Sequence, residues 1–141
     1  MTLRRIAFAL ALLVASANAQ EATRIPLPAD HPLVGSWRAE MPALKCFEEH
    51  EIRADGTRTS VSADERAEAE YSISAFPSAK GFYRWTDRVV RTNGKPDCTG
   101  HLTPVGQVSV NYAIVLPDGQ RFLACTAEDL KTCFAEFRRK R

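Results

Sequence analysis

The chain has 141 residues, 45% of them hydrophobic, with 19 basic and 17 acidic side chains and four cysteines. That length suits one domain and the apolar share can build a core, which excludes disorder throughout. Arg4, Arg5 and the terminal run Arg138-Arg139-Lys140-Arg141 concentrate cations at the two ends, leaving 13 basic against 17 acidic groups between Gln20 and Phe137. This balance argues against a nucleic-acid-binding domain.

Arg4 and Arg5 precede an uncharged apolar run, Ile6 to Ala15, and Ala17-Asn18-Ala19 supplies small residues at a cleavage site before Gln20. This is the pattern of a secretory signal peptide over residues 1–19, and the run is shorter than the roughly 20 residues a bilayer core requires. The reading implies a periplasmic or secreted protein with no transmembrane segment in the mature chain. Residues 20–32 carry Pro26, Pro28 and Pro32 and read as a flexible, partly polyproline-like lead, so the folded domain is expected over 33–138, followed by a short basic tail.

From Leu33 the hydrophobic period is close to two, with turn signals about every ten residues. Strands are predicted at Leu33–Glu40 and Lys45–Arg53, the second turning at Asp55-Gly56 into Thr57–Ser62. Ala63 to Ala69, rich in Ala, Glu and Arg, reads as a loop or one helical turn. Tyr71, Ile73 and Ala75 alternate in a fourth strand, and Phe82–Arg91 makes a fifth that Asn93-Gly94 closes as a two-residue hairpin turn. Val108, Val110, Tyr112, Ile114 and Leu116 give the cleanest alternation, Pro117-Asp118-Gly119 turns the chain into Gln120–Cys125, and Cys133–Arg138 completes the set. The fold class is all-β, a single small antiparallel barrel of about eight strands, the smallest number that closes around a filled or ligand-sized interior.

In an exported chain, Cys46, Cys98, Cys125 and Cys133 read first as two disulfides, with three pairings open. Cys125–Cys133 is favoured because it closes a short loop between two strands, which leaves Cys46–Cys98. A four-Cys zinc site is disfavoured, because no Cys-x-x-Cys spacing occurs.

Gly35-Ser36-Trp37 on the first strand resembles the Gly-x-Trp start of lipocalins and lipocalin-like (calycin-type) domains. Arg53 to Thr57 is similar to their second-strand hairpin, and Pro117 to Arg121 stands nearest to their second motif. With Asp97-Cys98-Thr99-Gly100, the chain looks like small exported bacterial proteins of this type without an assigned activity. The resemblance implies that Gly35 and Trp37 are structural, that Trp37 closes the barrel floor, and that a basic residue of the last strand packs on it, with Arg138 as candidate. Removal of 139–141 is then expected to leave thermal stability nearly unchanged, and Arg138→Ala to lower it measurably.

Several residues could carry chemistry. Cys46, Glu48, His50 and Ile52 share one strand face; if it points inward, Glu48 and His50 must be paired, as an acid/base couple, a metal half-site or a structural ion pair. His101 sits four residues after Asp97 in a loop pinned by a disulfide, where it is either an oriented imidazole or ordinary turn chemistry. Tyr83, Trp85 and Val89 share one face of the fifth strand, and Phe82, Arg84, Arg88 and Val90 the other; Arg84 and Arg88 serve recognition, or pair with Glu48 or Glu51. Tyr112 and Trp85 are further candidate ligand contacts, whereas an interior filled by Trp37, Tyr112 and Phe122 would leave no room for a ligand. No complete catalytic constellation, phosphate loop or cofactor motif is present. The leading expectation is a non-enzymatic exported module that captures a small apolar or aromatic ligand or an envelope protein. The alternatives are a hydrolase or metal-binding protein using Glu48, His50 and His101, and an inhibitor or immunity-type protein.

Overall fold

The computed structural model describes residues 24–141, so the signal-peptide reading lies outside the described residues. Eight strands follow in order: β1 (Gly35–Met41), β2 (Cys46–Ile52), β3 (Thr57–Ser62), β4 (Glu65–Ile73), β5 (Tyr83–Thr92), β6 (Val108–Val115), β7 (Arg121–Cys125) and β8 (Cys133–Arg139). Each pairs antiparallel with the next, and β8 pairs back onto β1, giving a closed barrel. Closure removes the exposed sheet edges that would otherwise template aggregation. Cys46–Cys98 and Cys125–Cys133 are both bonded, and no cysteine is free. Among the described residues no helix is long and apolar enough to cross a membrane.

The segment predicted as a loop or one helical turn at Ala63 to Ala69 is instead a two-residue turn followed by the first half of β4. A two-residue turn, Ala63-Asp64, joins the Ser62–Glu65 pair, with Ala63 in the left-handed region at φ 51°. Such turns normally advertise themselves by Asn-Gly or Asp-Gly, and this one lacks both. The missing chemistry comes from afar. Asn93 accepts from the Arg66 N–H at 3.1 Å and donates Nδ2 to the Asp64 carbonyl at 2.9 Å. Asn93-Gly94 is therefore not a hairpin turn: it opens a long β5–β6 connection that runs to Gln107. Cys98 fastens that connection to the start of β2.

Over 24–32 the proline-containing lead is hydrogen-bonded to the barrel and partly buried in it. Ile25 N–H donates to the Tyr71 carbonyl and Leu27 N–H to the Ala54 carbonyl, at 3.0 and 2.8 Å. Leu27 is 7% exposed and His31 5%, so the segment plugs one barrel end. His31, given little weight by sequence, accepts from the Leu33 N–H through Nδ1 and contacts the Ser74 carbonyl through Nε2, each at 3.3 Å. Burial lowers its pKa, against the opposing pull of Ser74 and Asp30. Above the plug, Leu33, Trp37, Ile52, Tyr71, Ile73 and Phe122 are buried and form one core cluster.

The cation over Trp37 is Arg139, not Arg138. Antiparallel pairing sets Trp37 opposite Arg139, and the guanidinium carbon lies 4.2 Å from the Trp37 ring centre. Arg139 also donates to the carbonyls of Val34 and Pro32 at 3.0 and 2.9 Å, tying β8 to the lead. Arg138, one residue away on a period-two strand, faces out, 69% exposed, and meets Glu136. Gly35 has φ 134°, and a Cβ there would collide with the Arg139 guanidinium, so the glycine makes room for the cation.

Candidate functional site

The plugged end leaves the opposite end of the barrel, where the β1–β2, β3–β4, β5–β6 and β7–β8 connections gather, to hold the site. Period-two alternation turns Glu48 and His50 of β2, Arg58, Ser60 and Ser62 of β3, Glu65 and Ala67 of β4, Trp85, Asp87 and Val89 of β5, and Ser109 and Asn111 of β6 toward the interior. They line two adjoining cavities of about 150 and 300 Å³, which share Glu48, His50, Arg58, Asp87, Gln107 and Ser109. Phe122 and Phe137, stacked at 4.9 Å, also line the larger cavity, with Trp85 6.3 Å from Phe122. The cavity is therefore polar on one side and aromatic on the other.

Arg58 anchors the polar side. Its Nη2 and Nε donate to Asp87 Oδ2 at 2.6 and 3.0 Å, and Ser109 Oγ donates to Asp87 Oδ1 at 2.6 Å. Both ions are nearly shut from water, so loss of either would strand the other. A second chain of bonds starts at the pinned loop. The Cys98 N–H donates to Ser62 Oγ at 3.1 Å, and Ser62 Oγ donates to Glu48 Oε1 at 3.0 Å. Glu48 Oε2 then faces His50 Nε2 at 3.7 Å, an electrostatic contact longer than a normal hydrogen bond. Burial raises the Glu48 pKa, but His50 and the Ser62 hydroxyl outweigh it and the net shift is downward. Burial lowers that of His50, aided by Arg58 and opposed by Glu48 and Asp87. The pair at neutral pH is a carboxylate and a neutral imidazole. Three polar atoms around the cavities are buried without a partner among the described residues: Glu65 Oε1, His50 Nδ1 and Trp85 Nε1.

Of the residues singled out by sequence, Glu48, His50, Trp85 and Tyr112 line the larger cavity. Tyr112 borders that cavity but does not fill the interior, because alternation puts its side chain on the other face of the strand from Asn111 and Ala113; Val108 and Val110 share that outer face and are exposed. Arg84 is exposed and donates to Thr86 Oγ1, and Arg88 pairs with Glu70, so neither reaches Glu48 or Glu51. His101 stands apart and exposed; its backbone N–H, with that of Thr99, caps Asp97 Oδ1, which makes this motif a turn. Glu48, His50 and His101 do not converge, and among the described residues no three His, Cys, Asp or Glu side chains are grouped to hold a metal ion. Sequence reasoning missed Arg58, Glu65, Asp87, Ser109 and Asn111. The spacing Trp85-x-Asp87-x-Val89 was the available signal for Asp87, since it repeats the core face.

Fold and site together define a closed eight-stranded antiparallel barrel, plugged at one end and holding a cavity of mixed polarity at the other. Comparison with family models, with curated proteins and with solved structures found no match to the chain.

Proposed function

We propose that the protein is an exported, lipocalin-like binding module that captures a small ligand in the cavity at the Cys46–Cys98 end of the barrel. The observation that carries this is the cavity of about 300 Å³, within the size range of small-molecule sites, with an aromatic wall facing a few fixed polar groups. The Glu48–Ser62–Cys98 chain and the Arg58–Asp87–Ser109 cluster hold those groups in place before any ligand arrives, which reduces the ordering cost of binding. The Gly35-Ser36-Trp37 start, with a cation of the last strand over Trp37, supports the lipocalin-like reading. Two disulfides fit the oxidising compartment that the N-terminal residues suggest.

The test is native mass spectrometry of the chain isolated from the envelope or medium of its producing cells. A bound small molecule is expected, and Asn111→Phe, which fills the cavity without removing a side-chain hydrogen bond, should abolish it. A bare chain, or a bound species that survives Asn111→Phe, would refute the proposal.

A further inference from the structure

The acidic groups around the two cavities outnumber the basic ones: Glu48, Glu65 and Asp87 against Arg58. Arg58 is spent on Asp87, which leaves Glu48 and Glu65. Register places these two on one row, each opposite Ser62 on adjoining strands, so their backbones stand roughly 10 Å apart, two strand spacings. Both line the smaller cavity, which shares six lining residues with the aromatic one. Glu65 is 6% exposed, and its Oε1 has no hydrogen-bond partner among the described residues. An unpaired carboxylate oxygen in such a place costs free energy unless something donates to it.

Resting on the binding-module reading above, we infer that the ligand is a small organic cation, an ammonium on an aromatic or apolar body. Its charged head lies between Glu48 and Glu65, and its body lies against Trp85, Phe122 and Phe137. A primary ammonium has three donors and no acceptor, which matches two carboxylates and the neighbouring Ser62 hydroxyl. The neutral state of His50, enforced by burial, leaves the negative field of the two acids uncancelled. Asp97, close enough to oppose ionisation of Glu48, adds to that field. On the aromatic side Trp85 Nε1 is a buried donor with no acceptor among the described residues, and Trp85 is 6% exposed. It selects a body that carries an oxygen, such as a phenol. The rings add a favourable surface for a cation's flanking methylenes.

Three probes of one shape separate the claims: tyramine (cation), tyrosol (neutral) and 3-(4-hydroxyphenyl)propanoate (anion). The readout is the indole N–H resonance of Trp85 in a nitrogen-labelled sample of the disulfide-bonded protein. Trp37 is the internal reference, since its Nε1 is engaged with the Leu33 carbonyl at 2.8 Å in the plugged end. Tyramine should shift Trp85 saturably and leave Trp37 in place, binding at least about tenfold tighter than tyrosol, with the propanoate weakest. Glu65→Gln, and separately Glu48→Gln, should erase most of that preference while tyrosol binding is kept. Added salt should weaken tyramine and not tyrosol, a check that needs no variant. Tyrosol or the propanoate binding as tightly as tyramine would overturn the cation inference and leave the binding-module reading standing. Trp85 unmoved by all three would likewise overturn the cation inference, while the binding-module reading stands or falls on the mass-spectrometric test.

Discussion

Arg139 shows how much one side chain can join. It spans the Trp37 ring, the Val34 and Pro32 carbonyls, and the space that Gly35 leaves by lacking a Cβ. Truncating it removes a cation–π contact and two charge-assisted bonds and leaves two carbonyls short of a donor. The expected cost of Arg139→Ala is about 2–3 kcal/mol, a fall of roughly 8–12 °C in Tm for a domain near this size. Arg138→Ala removes only an exposed pair with Glu136 and should stay within about 0.5 kcal/mol of the parent. Melting curves of the two variants decide it, and equal curves would contradict the geometry. The basic cluster and the Gly-x-Trp start were both legible in the sequence. Which arginine meets Trp37 was not, because strand parity depends on the β1–β8 register, and that register is set across the whole barrel.

At the scale of elements, the lead and the β5–β6 connection are the two segments whose role reverses on folding. Leu27 is buried against the core beneath Tyr71 and Ile73, so Leu27→Ala should cost about 2–3 kcal/mol in urea unfolding, where a flexible lead would lose nothing. Proline content could not reveal that this segment would make two tight turns, Pro28–His31 and His31–Val34, or that barrel strands would supply partners for the Ile25 and Leu27 N–H groups. The two disulfides should also differ. Cys46–Cys98 closes 52 residues and Cys125–Cys133 only 8. On the loop-entropy argument, replacing the first pair by serines should cost about 4 kcal/mol and the second about 2.5. The first replacement should also speed amide exchange over residues 93–107, since Cys98 anchors that connection and its N–H holds Ser62. Unchanged exchange there would show that the Asn93 bonds and the loop's own turns suffice without it.

For the whole molecule, the buried histidines set the response to acid. Burial pulls the pKa of both His31 and His50 below the ordinary 6.5. The unfolded chain therefore binds protons first, and stability should decline as pH falls below about 6.5. His50 then charges beside Glu48, Arg58 and Asp87, and His31 beside Asp30. The downshift of Glu48 works in the next window, since its stabilisation is present above the ordinary 4.5 and is lost as pH drops through the lowered value. Urea midpoints should be level above neutrality and fall from pH 6.5 to 5, and His50→Gln should shallow that decline. Midpoints that stay constant over this range would contradict neutral burial of the two rings.

The sequence by itself determined the all-β class, the strands other than the fourth to within a few residues, the favoured disulfide pairing, and that Glu48 and His50 share a face. These follow from local period, turn chemistry and redox logic, which neighbouring residues carry. Only the tertiary structure decided that Ala63-Asp64 is a turn, that residues 24–32 are a plug, that His101 stands outside the site, and that Arg58, Glu65 and Asp87 stand inside it. A barrel brings residues from separate strands onto one row, and closure selects one of the two faces of every strand together. Alternation says which residues share a face. Only the closed ring says which face is the interior, as the outward stripe of Val108, Val110 and Tyr112 shows.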